Sequence, residues 1–272
     1  IVLFLYTWFD QALLLAYVPL SEVAIYSIAL QAFGVLSLIP MALSSALLPY
    51  YSEQHGKDEQ QKIVAGVHGS SRYVALLYTP LALGLMATAN PVITFFAGQT
   101  YAGGDVILAI LCLFGGLSGL VASFGGLLLV YNMTPTVLSI NIASVVGSMV
   151  MLPVLLPSFG VVGMAVVKGV AMVISFVLTV IVLWKRMPIR FDREAVWKSW
   201  TAAIGMFIAI WFIQHMHFSP YLLPLYIVVG GTTYMIALRL LRAVNEDDIK
   251  LIRNLLGKRA TFILNIVEKV LI

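Results

Sequence analysis

The chain has 272 residues, of which 61% are hydrophobic and only 10% are charged, with a formal net charge of +4. Soluble domains average about 25% charged residues. This composition, with a mean hydropathy of +1.00, excludes an ordinary soluble domain and indicates an integral membrane protein. The single cysteine, Cys112, excludes an internal disulfide and a cysteine-based zinc cluster.

Eight apolar runs are each long enough to form a helix that crosses the bilayer core, which takes about 20 residues. The two-residue alternation of a membrane β-barrel is missing from these runs, so we predict an all-α polytopic transmembrane helix bundle. Because Ile1 already lies within an apolar run, we expect the chain to begin partway through a longer protein. The predicted spans are 1–18, 23–48, 73–97, 105–130, 136–156, 160–184, 197–214 and 221–241.

The basic residues predict the orientation of the bundle. The connections 19–22, 98–104, 157–159 and 215–220 share one face and contain neither lysine nor arginine. Fifteen of the sixteen basic residues fall on the opposite face, which the positive-inside rule assigns to the cytoplasm. Both chain ends are therefore expected to be cytoplasmic. Basic residues beside spans do not indicate a nucleic-acid partner, and we expect none.

Helix breakers and small residues mark local features of the spans. Pro40 and Pro80 lie inside predicted spans, and Asn90-Pro91 is expected to interrupt the third. Gly115 and Gly119 have the spacing that allows close packing between membrane helices. Segment 52–71 is expected to be a solvated connector with one short helix. Segment 242–272 is predicted to be a cytoplasmic tail with an amphipathic basic helix, lying on the inner leaflet or packed against the ends of the spans.

Asp10 and Lys168 are the acid and the base that lie well inside predicted spans. At 1.5 Å per residue both lie roughly 12 Å below the outer boundary, near the middle of a core about 30 Å thick. We expect them to pair or to line a polar cavity together, because a lone charge in lipid is costly. In the functional interpretation Lys168 attracts an anionic substrate group, while Asp10 pairs with it, binds a cation or titrates. The alternative is a structural ion pair.

Uncharged polar residues supply weaker candidates for substrate binding. Gln11, Gln31 and Asn141 lie on predicted spans and could instead hydrogen-bond between helices. The histidines have no acid or cysteine near them that would suggest a metal site. No phosphate-binding loop or hydrolase motif is present, so we predict a protein that is not an enzyme and has no cofactor.

Several segments together resemble the polysaccharide flippases of the multidrug/oligosaccharidyl-lipid/polysaccharide exporter superfamily. Their order and spacing along the chain carry the resemblance, although Ala24 stands where the family has glycine and Met164 where it has alanine. The matching segments are Asp10 with 21–29, then 39–44 with 47–52, 96–101, 159–165 and 246–249.

The resemblance implies the second six-helix lobe of a two-lobe transporter in residues 1–184, followed by two additional helices in 185–241. It implies a flippase of the cytoplasmic membrane that moves polyprenyl-phosphate-linked oligosaccharide by alternating access. The implied partners are the lipid-linked glycan, membrane lipids, an N-terminal lobe of the same protein and the polysaccharide polymerase machinery. The alternatives are a cation-coupled multidrug exporter, a lipid II flippase, and a non-transporting membrane assembly subunit.

Overall fold

The computed structural model describes residues 2–122, 124–186 and 191–243, with the side chains of 2–7, 121 and 122 outside that description. All regular structure in these ranges is helical, which confirms the all-α prediction. The predicted amphipathic tail lies outside the described residues from position 244 onward. The helices are α1 (Val2–Tyr17), α2 (Leu20–Gly56), α3 (Gln60–Ala87), α4 (Ala89–Ala97), α5 (Gly104–Ala122), α6 (Gly125–Val130), α7 (Thr134–Met149), α8 (Leu152–Arg186), α9 (Arg193–Met216) and α10 (Leu223–Leu240).

Four described helices are long and apolar enough to cross a membrane on their own. They are α2, α8, α9 and the helix that ends at Leu240, and α3 with α4 makes a fifth if that bent pair is one span. Helices α1 and α7, with 16 residues each, are shorter. These lengths confirm a multi-pass membrane protein. The count of eight spans, and the sidedness that depends on it, stay predictions.

One of the predicted connections is wrong, because helices continue into the predicted loop. Segment 52–71 contains the end of α2 and the start of α3, separated only by a turn at 57–59. Segment 157–159 is helical, but the chain breaks directly after it at Gly160. The apolar pattern marks where a helix can meet lipid, and a helix can extend beyond that boundary.

The helix breaks in the structure coincide with only some of the proline and asparagine positions at which the sequence predicted them. The bend of 70° between α3 and α4 falls at Thr88, so Pro91 sits in the first turn of α4, where a missing N–H is tolerated. Pro40 and Pro80 lie within the continuous helices α2 and α3. Gly160 has φ +54° and ψ −132° and separates 152–159 from the rest of α8, so a break falls where the sequence predicted the start of the sixth span.

Glycines on α5 receive aromatic rings from the neighbouring helices. A Cβ atom on Gly115 would overlap the Phe33 ring of α2, and one on Gly119 would overlap the Tyr78 ring of α3. The Tyr78 hydroxyl donates to the Gly115 carbonyl at 3.2 Å. The two glycines therefore do allow close packing, in which aromatic rings of α2 and α3 lie directly against the α5 backbone. The main buried core lies between α1, α2, α3, α5 and α8.

A second core joins α9 and α10 to α3, and polar contacts reinforce it at the end near Asp192. The Asp192 carboxylate caps α9 by accepting from the Ala195 N–H at 2.9 Å, and it accepts from Arg72 of α3 at 3.0 Å. Arg72 also donates to the Ala243 carbonyl at 2.6 Å. The Asp192 N–H donates to Ser71 at 3.1 Å. Asp192 and Arg72 together thus connect the start of α9, the segment after α10 and the body of α3.

We predict that replacing Gly163 with alanine destabilises the bundle. A Cβ atom there would overlap the backbone carbonyl of Leu155, and backbone yields less easily than a flexible side chain. The expected loss is about 1–3 kcal/mol in the free energy of unfolding, measured by thermal unfolding in detergent. Gly205→Ala on α9 is the control, because its Cβ meets nothing within 4 Å. It should raise stability by up to about 1 kcal/mol. Equal stability of the two variants would contradict the packing at Gly163.

We predict that the Asp192 carboxylate stabilises the fold at neutral pH and loses this effect in acid. Burial raises the pKa of Asp192, but the Ala195 N–H, Arg72 and, more weakly, His68 outweigh burial and hold it below the ordinary value of 3.8. The stabilisation is therefore complete above that value and is lost as the pH falls through the lowered pKa.

The test compares the unfolding free energies of the wild type and Asp192→Asn across pH. The difference should stay constant from roughly pH 5 to pH 8 and shrink below roughly pH 4. Asp192→Ala should cost about 1 kcal/mol more than the asparagine variant, because asparagine still caps a helix. A difference that does not change with pH would contradict the ionised contact with Arg72.

Candidate functional site

Three polar side chains from separate segments reach the same depth in the bundle. Asp10 on α1 lies eight residues before Val18, where the chain turns into α2, and Tyr26 lies eight residues after it. Lys168 lies eight residues after the break at Gly160. At 1.5 Å per residue each is about 12 Å from the same end of the bundle. The local breaks therefore set the common depth.

The three side chains form one hydrogen-bonded cluster. The Lys168 Nζ lies 3.2 Å from the Asp10 Oδ2, and the Tyr26 hydroxyl donates to that same oxygen at 2.5 Å. Lys168 also lies over the Phe9 ring, 5.3 Å from its centroid. Asp10 has no exposed surface, and the Lys168 side chain is 9% exposed. The structure thus joins the acid and the base that the sequence placed at equal depth.

The cluster is neutral as a whole, and its hydrogen bonds are unevenly shared. Both named partners approach Oδ2 of Asp10, while the buried Oδ1 has no hydrogen-bond partner among the described residues. A buried acceptor left without a donor costs free energy. In this conformation the Lys168 ammonium forms an ion pair with the Asp10 carboxylate. It can meet an anion only if the anion competes with Asp10.

The other candidate residues do not join this cluster. Gln11 is half-buried on α1, and Gln31 is exposed on the outer face of α2. Asn141 on α7 lines a separate cavity of about 240 Å³ between α5, α6, α7 and α8. A substrate-binding role for each of these residues, and for Asp10 and Lys168, stays a prediction.

The sequence analysis did not find the role of Tyr26, nor the hydroxyls of the cavity. Tyr26 could have been recognised, because it lies as far after the α1–α2 turn as Asp10 lies before it. The cavity hydroxyls belong to Ser118, Ser175 and Thr179, which come from two helices far apart in the sequence. No local pattern marks them. Among the described residues, no group of three or more histidine, cysteine or acidic side chains could hold a metal ion.

Comparisons with known proteins agree on one superfamily. Residues 1–103 match the family described as polysaccharide biosynthesis protein. The probable low-salt glycan biosynthesis flippase Agl15 of Haloferax volcanii is 24% identical over 76% of this chain and 43% of its own length. The probable flippase AglR of the same organism is 22% identical over 84% of this chain and 49% of its own length.

A solved structure shows the fold. The lipid II flippase MurJ in its inward closed conformation superposes with a TM-score of 0.65 and 15% identity, over 79% of this chain and 46% of that one. The chain is similar to flippases of the multidrug/oligosaccharidyl-lipid/polysaccharide exporter superfamily. It spans about half the length of the superfamily members it matches. The resemblance read from the sequence motifs is thereby confirmed, while the division at residues 184 and 241 stays a prediction.

We predict strong energetic coupling between Asp10 and Lys168. Lys168→Met alone should lower the free energy of unfolding by about 3–5 kcal/mol, because it leaves a buried carboxylate without its counter-charge. The double variant Asp10→Asn with Lys168→Met should recover most of that loss. Unfolding in detergent, followed by circular dichroism, measures both.

The matched control is the exposed pair Glu53 and Lys57, whose charged atoms lie 2.5 Å apart. Removing either partner there should leave stability unchanged within error, because water screens exposed charges. Strictly additive losses at Asp10 and Lys168 would show that the two groups do not interact in the folded protein.

Proposed function

We propose that this protein is a flippase that moves polyprenyl-phosphate-linked oligosaccharide repeat units across the cytoplasmic membrane by alternating access. In this proposal residues 1–184 form the second six-helix lobe and 185–241 add two helices, followed by a cytoplasmic tail in 242–272. Both ends of the chain lie in the cytoplasm. An N-terminal lobe of the same protein would complete the transport path.

The buried Asp10–Lys168 pair is the observation that carries the proposal. A lipid-linked glycan carries phosphate, and a phosphate needs a counter-charge at the middle of the membrane. Lys168 supplies that charge. Asp10 neutralises Lys168 while no substrate is present, so the empty transporter does not hold a lone cation in a region of low dielectric.

Binding would then exchange one anion for another at Lys168. The phosphate replaces the Asp10 carboxylate, and Tyr26 keeps a hydrogen bond to Asp10 as the pair opens. The lysine therefore stays paired with an anion before and after the exchange. The exchange also changes the contact between α1 and α8, the two helices that the pair connects. Such a change gives substrate binding a direct effect on how the lobe is held together.

Features of the relatives and of the site favour a glycolipid over the alternatives. Two curated relatives are named as flippases, one of them for glycan biosynthesis. A cation-coupled multidrug exporter needs an uncompensated acid, and the Asp10 charge is already offset by Lys168. The likeness to the lipid II flippase MurJ, at 15% identity, speaks for the fold alone. Membrane lipids and the polysaccharide polymerase machinery are the further partners we propose.

The test is a flipping assay with the whole protein in proteoliposomes. A fluorescent polyprenyl-phosphate-linked oligosaccharide is supplied, and its exposure in each leaflet is read with a membrane-impermeant reagent. Efflux of a cationic dye and flipping of lipid II are measured in parallel. We expect flipping of the glycolipid and neither of the other activities.

The informative variant is the double change Asp10→Asn with Lys168→Met, which removes both charges. It should stay folded but flip the glycolipid about tenfold more slowly or worse, because a charged hydrogen bond contributes about 1.5–3 kcal/mol. The exposed double change Glu53→Gln with Lys57→Met is the control and should flip normally. Dye efflux alone would identify an exporter, lipid II movement alone a lipid II flippase, and no movement by folded protein an assembly subunit. Each of these three results would reject the proposal.

A further inference from the structure

The cavity between α5, α6, α7 and α8 has a volume of about 240 Å³. Its lining is mainly apolar, with a small number of uncharged polar groups. Ser118, Asn141, Ser175 and Thr179 supply three hydroxyls and one amide, and Phe176 supplies an aromatic ring. No acidic or basic side chain lines it among the described residues.

Most of the polar groups in this cavity have unused hydrogen-bonding capacity. Ser118 donates to the Gly115 carbonyl at 3.1 Å. The Asn141 amide and the hydroxyls of Ser175 and Thr179 have no hydrogen-bond partner among the residues that the structure describes. Polar groups inside a membrane protein are costly unless something satisfies them. The lining therefore calls for an occupant with hydroxyl or amide groups of its own.

The composition of the cavity decides between classes of occupant. An acyl chain would leave Asn141, Ser175 and Thr179 without a hydrogen-bond partner. A phosphate or a drug cation would find no opposite charge. A neutral sugar ring offers hydroxyls to the polar groups and an apolar face to Phe176, which is the mixture that small-molecule sites show.

The cavity lies on the same face of α8 as the buried ion pair. Lys168, Met172, Ser175 and Thr179 follow one another at steps of four, three and four residues, which align along one side of a helix. Met172 and Ser175 lie about 6 Å and 10 Å along the axis from Lys168. A ligand with a phosphate at Lys168 can therefore extend along α8 into the cavity.

We propose that this cavity binds one neutral sugar ring of the substrate, as a subsite separate from the phosphate contact at Lys168. The identity of the biological ligand rests on the proposed flippase function. Asn141 both donates and accepts hydrogen bonds, so it fits a ring hydroxyl or an acetamido group. The subsite would select neutral sugars over charged ones.

Direct binding to the intact protein in nanodiscs tests the subsite. The probes are the methyl glycosides of glucose and N-acetylglucosamine, compared with glucuronic acid and glucosamine, and binding is read by saturation-transfer NMR. We expect at least one neutral probe to bind and both charged probes to bind about tenfold more weakly or not at all. Equal binding of charged and neutral probes, or binding of none, would overturn the proposal.

Two variants locate the binding in the cavity. Thr179→Val removes one hydroxyl at constant shape, and it should weaken binding of the neutral probe about tenfold. Its control is Thr232→Val on the exposed face of α10, where the hydroxyl bonds only to carbonyls of its own helix. Gly125→Leu should abolish binding by filling the cavity, because nothing lies within 4 Å of its Cβ position. Its control is Gly231→Leu, which also has open space.

The flipping assay on the same variants separates this proposal from the proposed function. Unchanged probe binding in Gly125→Leu, in a folded protein, would reject the subsite whatever the transport result. If the wild type binds the probe but moves no glycolipid, and Gly125→Leu loses probe binding, the flippase function is rejected and the sugar site is kept. Slower glycolipid flipping in Gly125→Leu, with normal flipping in Gly231→Leu, would support both.

Discussion

The buried ion pair between Asp10 and Lys168 is the central constraint on the described helix bundle. It connects α1 to α8 in the interior, and both charges are removed from water. Replacing such a pair with apolar side chains is often neutral or stabilising, so its presence is weak evidence for a role in stability. The Asp10 Oδ1 atom has no hydrogen-bond partner among the described residues, so the pair is only partly satisfied in this conformation.

Two kinds of chemistry follow each other along one face of α8. Lys168 carries charge at mid-depth, whereas Ser175 and Thr179 present hydroxyls without charge further along the helix. A phosphate-linked sugar has the same order of groups, first an anion and then a neutral ring. Packing at Gly169, where a Cβ atom would overlap the Phe114 ring of α5, fixes the position of this face relative to the rest of the lobe.

Helices α9 and α10 are joined to the rest of the bundle by polar contacts with α3 at both of its ends. Asp192 and Arg72 join them at one end, and Gln214 donates to the Ala87 carbonyl at 2.9 Å at the other. Between these ends Ser199 donates to the Ala75 carbonyl at 2.6 Å and meets the Tyr234 hydroxyl at 3.0 Å. Polar contacts of this kind resist sliding better than apolar packing alone, because each has a preferred direction.

The sequence by itself determined the helical class, the superfamily resemblance and the depth of the two charges, because hydrophobic length and helix breaks are local properties. It also predicted a helix that starts at Gly160, where the structure has a break in α8. Only the tertiary structure decided that Tyr26 shares the Asp10 oxygen, that Gln31 faces outward, and that Asn141 lines one cavity with hydroxyls of α5 and α8. It also showed helix in segments 52–71 and 157–159, where polar and breaking residues had suggested loops. Rotation of each helix about its axis and continuation beyond the apolar run depend on packing between distant segments, which composition does not encode.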